Sequence, residues 1–159
     1  MKIKEGDIFP NADVFQISEN GPEKVSTKKL FENTKVLLIG VPGAFTPTCA
    51  NDHLPGFIKN IDSFFDKGID KIYVVSVNDP FVMDSWLKSY GEKKINYFAD
   101  SNGDLMKKSG FSLDLSIIGL GKRLSRFVMI IDNGTIEEIF DENGGGLEKS
   151  KAEDILESI

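Results

Sequence analysis

Short apolar runs recur along this chain and predict its strands. The clearest lie at 36–41, 72–77 and 127–131, where β-branched and aromatic residues predominate, as is typical of buried strands. The third run ends at Asp132-Asn133-Gly134, a sequence that suits the positive φ angles of a hairpin turn. The pattern therefore predicts a returning strand at 135–140.

Apolar residues at helical spacing fall between the strands. After residue 49, a stripe at this spacing predicts a helix; its members are Leu54, Phe57, Ile58, Ile61, Phe64 and Phe65. Asp79-Pro80 is a typical N-cap and first-turn pair, and the helix it predicts should turn inward Phe81, Val82, Trp86 and Tyr90. A last helix is predicted over 148–159, with an apolar face made by Ala152, Ile155, Leu156 and Ile159.

The order of these elements predicts an α/β fold. Asn20-Gly21-Pro22 indicates an N-terminal hairpin with strands at 13–17 and 24–26. The alternation of strands and helices that follows, then a hairpin and a helix, is typical of a central mixed β-sheet flanked by helices. A length of 159 residues suits one hydrophobic core, so we expect a single domain over 1–159.

Composition narrows the possible partners. The chain is 40% hydrophobic and 28% charged, which is ordinary for a globular protein. Its net charge of −6 disfavours nucleic acid and anionic membrane surfaces, since both attract basic proteins. No run approaches the ~20 apolar residues of a spanning helix, and the N-terminus lacks the apolar core of a signal peptide. We therefore expect a cytoplasmic protein with no nucleic-acid or membrane partner.

The candidate chemistry centres on the single cysteine, Cys49. One cysteine and one histidine, His53, exclude an internal disulfide framework and a metal site built from cysteines or histidines. Cys49 follows the strand at 36–41 and begins the next helix, at the sheet edge where α/β proteins place their sites. Unpaired N–H groups and the helix dipole there favour a nucleophilic thiolate. The alternative is that Cys49 is a small buried apolar residue.

Neighbouring residues strengthen the interpretation of Cys49 as a nucleophile. Thr46 precedes it by three residues and can turn a hydroxyl towards the sulfur, while Pro42 and Pro47 stiffen the loop and remove two competing N–H donors. Arg126 is one of only two arginines, and its permanent charge and fork of donors suit a thiolate.

Three extended blocks resemble the peroxiredoxins, which are thiol peroxidases. The first is Pro42-x-x-x-Thr46-x-x-Cys49 within 41–49, followed by His53-Leu54-Pro55-Gly56-Phe57. The second runs over 76–83 with Trp86 after it, and the third is Arg123-Leu124-Ser125-Arg126-Phe127. Together they are similar to the type II, or peroxiredoxin-five, subfamily in order and spacing.

The resemblance implies a thioredoxin-like fold with an N-terminal β-hairpin extension, and a homodimer. It implies a catalytic role for four residues: Cys49 as the peroxidatic cysteine, Thr46 and Arg126 as the groups that bind sulfur and peroxide, and Pro42 as a shield from water. Thr48 and Phe45, which lie within the same motif, are candidate substrate-binding residues. No cofactor or metal is implied.

Other residues of these blocks receive structural interpretations. His53 is one helical turn after Cys49, which permits a Cys–His pair, but a structural role is favoured. Arg123 is interpreted as an ordinary surface residue, Trp86 as core or interface packing, and the run at 144–146 as a plain loop.

A lone cysteine makes an intramolecular disulfide impossible, although many members of the family carry a resolving cysteine. We therefore predict a peroxidase acting on hydrogen peroxide and organic hydroperoxides. Its sulfenic acid is resolved by an external thiol, such as glutathione, glutaredoxin or thioredoxin, or by Cys49 of another chain. One alternative is a redox-sensing module in which oxidised Cys49 reports to a partner protein. Another is a glutathione-transferring thiol oxidoreductase, which the lack of a Cys-x-x-Cys motif weakens.

Overall fold

A computed structural model describes residues 2–159. The strands within this part are β1 (Asp13–Ser18), β2 (Gly21–Ser26), β3 (Lys35–Gly40), β4 (Lys71–Ser76), β5 (Ile95–Ala99), β6 (Ser112–Leu115), β7 (Gly121–Leu124), β8 (Phe127–Asp132) and β9 (Thr135–Asp141). The α-helices are α1 (Thr27–Leu30), α2 (Leu54–Lys59), α3 (Ile61–Asp66), α4 (Pro80–Lys88), α5 (Asp104–Ser109) and α6 (Ala152–Ser158). A π-helical turn, Cys49–His53, leads directly into α2.

Seven strands form one mixed sheet in the order β2-β1-β5-β4-β3-β8-β9. Strands β3, β4 and β5 are parallel neighbours, whereas β8 lies antiparallel to β3 and β9 antiparallel to β8. The predicted mixed sheet and its C-terminal hairpin are confirmed. So is the N-terminal hairpin, in which β1 and β2 pair from Asp13 with Ser26 to Ser18 with Gly21.

Strand β3 explains why the sheet is covered on both faces. Its residues alternate in direction, so Leu37 and Ile39 join one apolar cluster while Val36 and Leu38 join another. The first cluster contains the buried faces of α2, α3, α4 and α6. The second contains residues of α5, together with Phe111 just before β6 and Leu124 at the end of β7. The continuous apolar run of β3 is what burial on both faces requires.

The helix predicted from Asp79-Pro80 is confirmed as α4, since the Asp79 carboxylate accepts a hydrogen bond from the backbone N–H of Val82. Its predicted inward face was wrong at one position. Phe81 is 62% exposed, whereas Met83, Trp86 and Leu87 of α4 are buried. Phe81 lies in the first turn of α4, outside the set of residues that packs into the core cluster.

The sequence patterns did not predict five short elements, which are α1, β5, α5, β6 and β7. Strand β5 mixes polar and apolar residues, and α5 is short and bounded by Gly103 and Gly110, both in the left-handed region. The small β6–β7 ribbon is a separate two-stranded sheet. None of the helices described over 2–159 has the length and apolar character needed to cross a membrane.

The sheet topology brings several chain segments to one edge. Gly40, at the end of β3, pairs with Phe127, at the start of β8, and Phe127 also pairs with Asp141, at the end of β9. The segments that follow β3 and β9 and precede β8 therefore meet there. All the predicted site residues belong to these segments.

Candidate active site

Cys49 lies in the first turn of the helical segment that follows β3, as predicted. The backbone N–H of Ala50 donates to the carbonyl oxygen of Thr46 at 2.8 Å, which closes the first turn around the cysteine. The thiol is free but only 1% exposed. A π-helical turn begins at this residue, and such irregular turns are frequent at functional sites.

Arg126 reaches the sulfur from the start of β8. Its Nη2 donates to Sγ of Cys49 at 3.1 Å, and the arginine is only 2% exposed. The antiparallel pairing of β3 with β8 explains this approach, because it sets the residue before β8 beside the loop after β3. The guanidinium therefore places a permanent positive charge against the buried sulfur.

Two further bonds hold the guanidinium. Nη1 of Arg126 donates to Nδ1 of His53 at 2.8 Å, and Nε donates to the carbonyl oxygen of Gly145 at 3.3 Å. Neither of the two hydrogen bonds of the His53 ring is made to the sulfur. Burial, and then the charge of Arg126, lower the pKa of His53 from 6.5 to about 3. The ring is therefore neutral at physiological pH and accepts from the arginine.

Thr46 and Pro42 lie on the loop beside the sulfur. The Thr46 hydroxyl donates to the carbonyl oxygen of Gly43 at 2.6 Å, which fixes the side chain within the loop. Pro42 is buried, and its carbonyl oxygen accepts from Nη1 of Arg123 at 3.2 Å. The interpretation of Arg123 as an ordinary surface residue was wrong, because its partly buried guanidinium ties the ribbon strand β7 to this loop.

A cavity of about 590 Å³ opens above Cys49. Its polar lining includes Thr46, Thr48 and Arg126, and its apolar wall is formed by Pro42, Pro47, Leu113, Leu115, Ile118 and Leu120. Phe45 does not line this cavity. Its backbone has a φ of 62° and its ring is 55% exposed, with the ring centroid 6.5 Å from that of Trp86. The arrangement can admit a small molecule with an apolar tail to the sulfur.

The structure adds residues that sequence reasoning missed. The loop at 142–150 is closed by the Glu142 carboxylate, which accepts from the backbone N–H groups of Glu148, Lys149 and Ser150 and from the Ser150 hydroxyl. Nothing in the sequence distinguishes Glu142 from other surface acids. The apolar wall from the β6–β7 ribbon was missed because that ribbon was not predicted. Within residues 2–159, no group of three or more His, Cys, Asp or Glu side chains is arranged to hold a metal ion.

Comparison with known proteins agrees with this geometry. Residues 4–156 match the Redoxin family model. Peroxiredoxin-2C of Oryza sativa subsp. japonica is 45% identical over 159 residues, which cover 99% of this chain and 98% of the relative. The crystal structure of reduced Prx3 from Vibrio vulnificus in complex with H2O2 has a TM-score of 0.93 and 40% identity, covering 98% of each chain.

A one-cysteine relative has the same architecture. The structure of the Plasmodium falciparum antioxidant protein, a 1-Cys peroxiredoxin, superposes with a TM-score of 0.92 at 33% identity and covers 98% of each chain. The match to the family model over nearly the whole chain, with full-length relatives above 40% identity, fixes the family. The chain belongs to the redoxins, within the type II peroxiredoxins, and is a thiol-dependent peroxidase.

Proposed function

We propose that Cys49 is the peroxidatic nucleophile, that Arg126 and Thr46 activate it and bind the peroxide, and that an external thiol reduces it. The observation that carries this assignment is the 3.1 Å hydrogen bond from Arg126 Nη2 to the buried Sγ. A guanidinium stays protonated at any physiological pH. It therefore supplies a fixed positive charge to a sulfur that has little contact with water.

Arg126 has N–H groups that remain available to bind the peroxide. Its guanidinium has five N–H groups, and three of them point to Cys49, His53 and Gly145. One N–H on Nη2 therefore remains beside the sulfur. We assign it to the peroxide oxygens, where charge develops as the O–O bond breaks.

Thr46 and the cavity wall complete the substrate site. The Thr46 hydroxyl donates its proton to the carbonyl oxygen of Gly43, so its lone pairs are free to accept from the O–H of a hydroperoxide. We propose that Pro42 keeps bulk water from the sulfur and that Thr48 contacts substrate from the cavity lining. Phe45, which does not line the cavity, receives no substrate role.

The reaction consumes one peroxide and two thiols. The Cys49 thiolate attacks one oxygen of ROOH, an S–O bond forms as the O–O bond breaks, and the leaving oxygen takes a proton and departs as ROH. The product is Cys49 sulfenic acid. One external thiol condenses with it and releases water, and a second thiol attacks the mixed disulfide. These steps return Cys49 as a thiol and form an external disulfide.

We also propose a reductant, an oligomeric state and a cellular compartment for this enzyme. We propose glutathione with glutaredoxin, or thioredoxin, as reductant, because Cys49 is the sole cysteine of the sequence. A homodimer is supported by apolar residues exposed at the edge that carries the site: Phe45, Phe81, Ile117 and Ile118. A reducing compartment such as the cytoplasm suits an enzyme that consumes thiols in every cycle.

Stopped-flow oxidation of the reduced protein by hydrogen peroxide and by cumene hydroperoxide tests the assignment. Cys49→Ser should abolish turnover. Arg126→Lys keeps the charge but loses the fork of donors, and should slow Cys49 oxidation on the order of 10²- to 10³-fold. Arg123→Lys is the matched comparison and should cause a smaller loss, because that guanidinium contacts only backbone carbonyls.

Thr46 is tested by a conservative pair of variants. Thr46→Val removes the hydroxyl and should slow oxidation by both peroxides, whereas Thr46→Ser keeps the hydroxyl and should retain most of the rate. A rate of Cys49 oxidation no faster than that of free cysteine, or one insensitive to Arg126→Lys, would contradict the assignment and favour a sensor that merely exposes a reactive thiol.

A further inference from the structure

His53 contacts the guanidinium of Arg126 rather than the sulfur. Its Nδ1 lies 2.8 Å from Nη1 of Arg126, whereas the other terminal nitrogen of the guanidinium, Nη2, reaches Cys49. The histidine is 1% exposed and the arginine 2% exposed, so water does not compete for this bond. A buried guanidinium with an unpaired Nη1 would be costly, and this acceptor therefore constrains its rotation.

The other ring nitrogen fixes the tautomer. Nε2 of His53 lies 2.9 Å from the carbonyl oxygen of Ser150, which only accepts hydrogen bonds, so Nε2 carries the proton. Nδ1 then has the lone pair that faces Arg126. Burial and the nearby arginine charge lower the pKa of His53 to about 3, which keeps this lone pair available at neutral pH.

Ser150 is itself held in place by Glu142. The Glu142 carboxylate accepts from the backbone N–H of Ser150 at 2.6 Å and from its hydroxyl at 2.7 Å. The same loop supplies the Gly145 carbonyl oxygen that accepts from Nε of Arg126. A continuous set of hydrogen bonds thus runs from Glu142 through Ser150 and His53 to Arg126.

We propose that His53 is a positioning residue for peroxide reduction: it orients the Arg126 guanidinium so that Nη2 points at the Cys49 sulfur and at the attacked peroxide. Glu142 supports this role by fixing the loop that holds His53. The inference rests on the proposed roles of Cys49 and Arg126. It assigns no proton transfer to His53, whose ring has no hydrogen bond to Cys49.

Two substitutions of His53 test its hydrogen bonds to Arg126 and to Ser150 separately. The side chain of His53→Asn ends near the position of Nδ1 and keeps an acceptor for Arg126, whereas that of His53→Gln reaches the position of Nε2 and keeps a donor for Ser150. Each variant is assayed for the rate of Cys49 oxidation by hydrogen peroxide and for the rate of Cys49 alkylation by iodoacetamide. Alkylation needs a reactive thiolate but no hydrogen-bond donor oriented on a peroxide. The ratio of the oxidation rate to the alkylation rate therefore reports how well Arg126 is positioned for the peroxide.

His53→Gln should lower this ratio on the order of 10- to 100-fold, and His53→Asn should restore most of it. The reverse pattern, a low ratio in His53→Asn and a wild-type ratio in His53→Gln, would mean that only the structural bond to Ser150 matters, and would overturn the proposal. Urea unfolding of each variant checks the fold. If a His53 variant does not fold, Glu142→Gln is used in its place, and an unchanged ratio there overturns the proposed support by the loop.

Arg126→Lys separates a failure of the proposed function from a failure of the positioning role alone. If Arg126→Lys leaves peroxide oxidation unchanged, the proposed function fails. If it slows oxidation while His53→Gln behaves like the wild type, only the positioning role fails. The double variant should be no slower than Arg126→Lys alone, because residues that act through one another are not additive.

Discussion

Acid should destabilise this protein through one buried histidine. His53 is 1% exposed, and burial, followed by the charge of Arg126, lowers its pKa from 6.5 to about 3. In the unfolded chain the same ring takes up a proton near pH 6.5. Between these two values the unfolded state binds more protons than the folded state, so the free energy of unfolding falls as the pH falls.

The size of the effect follows from linkage. Within this window the free energy of unfolding falls by about 1.4 kcal/mol for each pH unit. A change from pH 6.5 to pH 5 should therefore lower it by about 2 kcal/mol. The contribution of the neutral ring is fully present above pH 6.5 and is lost progressively towards pH 3. Protonation of Nδ1 would also remove the acceptor that Arg126 uses.

The measurement compares the wild type with His53→Asn, which cannot titrate in this range. Urea unfolding is followed by circular dichroism at several pH values and constant ionic strength. The stability advantage of the wild type should shrink by about 2 kcal/mol between pH 6.5 and pH 5. Other acidic groups titrate in both proteins, so their contributions cancel. A difference that stays constant with pH would refute the reasoning, since it would mean that folding does not perturb His53.

Glu142 extends the acid sensitivity to lower pH. Partial burial opposes the shift, but hydrogen bonds from Glu148, Ser150 and Lys149 prevail and lower the pKa of Glu142 below 4.5. A carboxyl whose pKa is lowered on folding stabilises the folded state above its unfolded pKa and loses that contribution as the pH falls. Measurements between pH 5 and pH 6.5 therefore isolate His53 from Glu142.

Three further predictions concern the packing behind the site, and urea unfolding at neutral pH tests each of them. Gly40→Ala should cost about 1–3 kcal/mol, because an added Cβ would overlap the ring of Phe127; an unchanged midpoint would mean that the ring moves freely. Asp100→Ala should cost about 1–3 kcal/mol, since the buried carboxylate accepts from two backbone N–H groups of α5, and Asp100→Asn should recover part of the loss. Tyr90→Phe should cost about 1 kcal/mol, because the hydroxyl donates to the Ala50 carbonyl oxygen at 2.6 Å; equal stability would show that water replaces it.

Local pattern was sufficient for much of the fold. The run that became β3 is apolar at nearly every position, and Asp79 caps α4 through its own side chain. Strand β5 could not be predicted in this way because its polar and apolar residues do not alternate, whereas β6 and β7 have only 4 residues each, too few for an alternating pattern to stand out. The exposure of Phe81 also depends on what α4 packs against rather than on helical spacing.

By itself, the sequence determined the chemistry available to this protein. A single cysteine at a helix start after a buried strand, with Thr46 and Pro42 at fixed short spacing, limits the site to one nucleophile. The blocks around Cys49 and Arg126 also indicated the family. These features are local in the sequence, so they can be recognised without knowledge of the tertiary contacts.

Only the tertiary structure decided how Arg126 is held against Cys49. The two residues are 77 positions apart, and His53 and Ser150 are 97 apart. Their contacts depend on the pairing of β3 with β8 and of β8 with β9, which periodicity along the chain does not encode. Polar partners at such separations are chosen by sheet order and by burial, where each donor must find an acceptor.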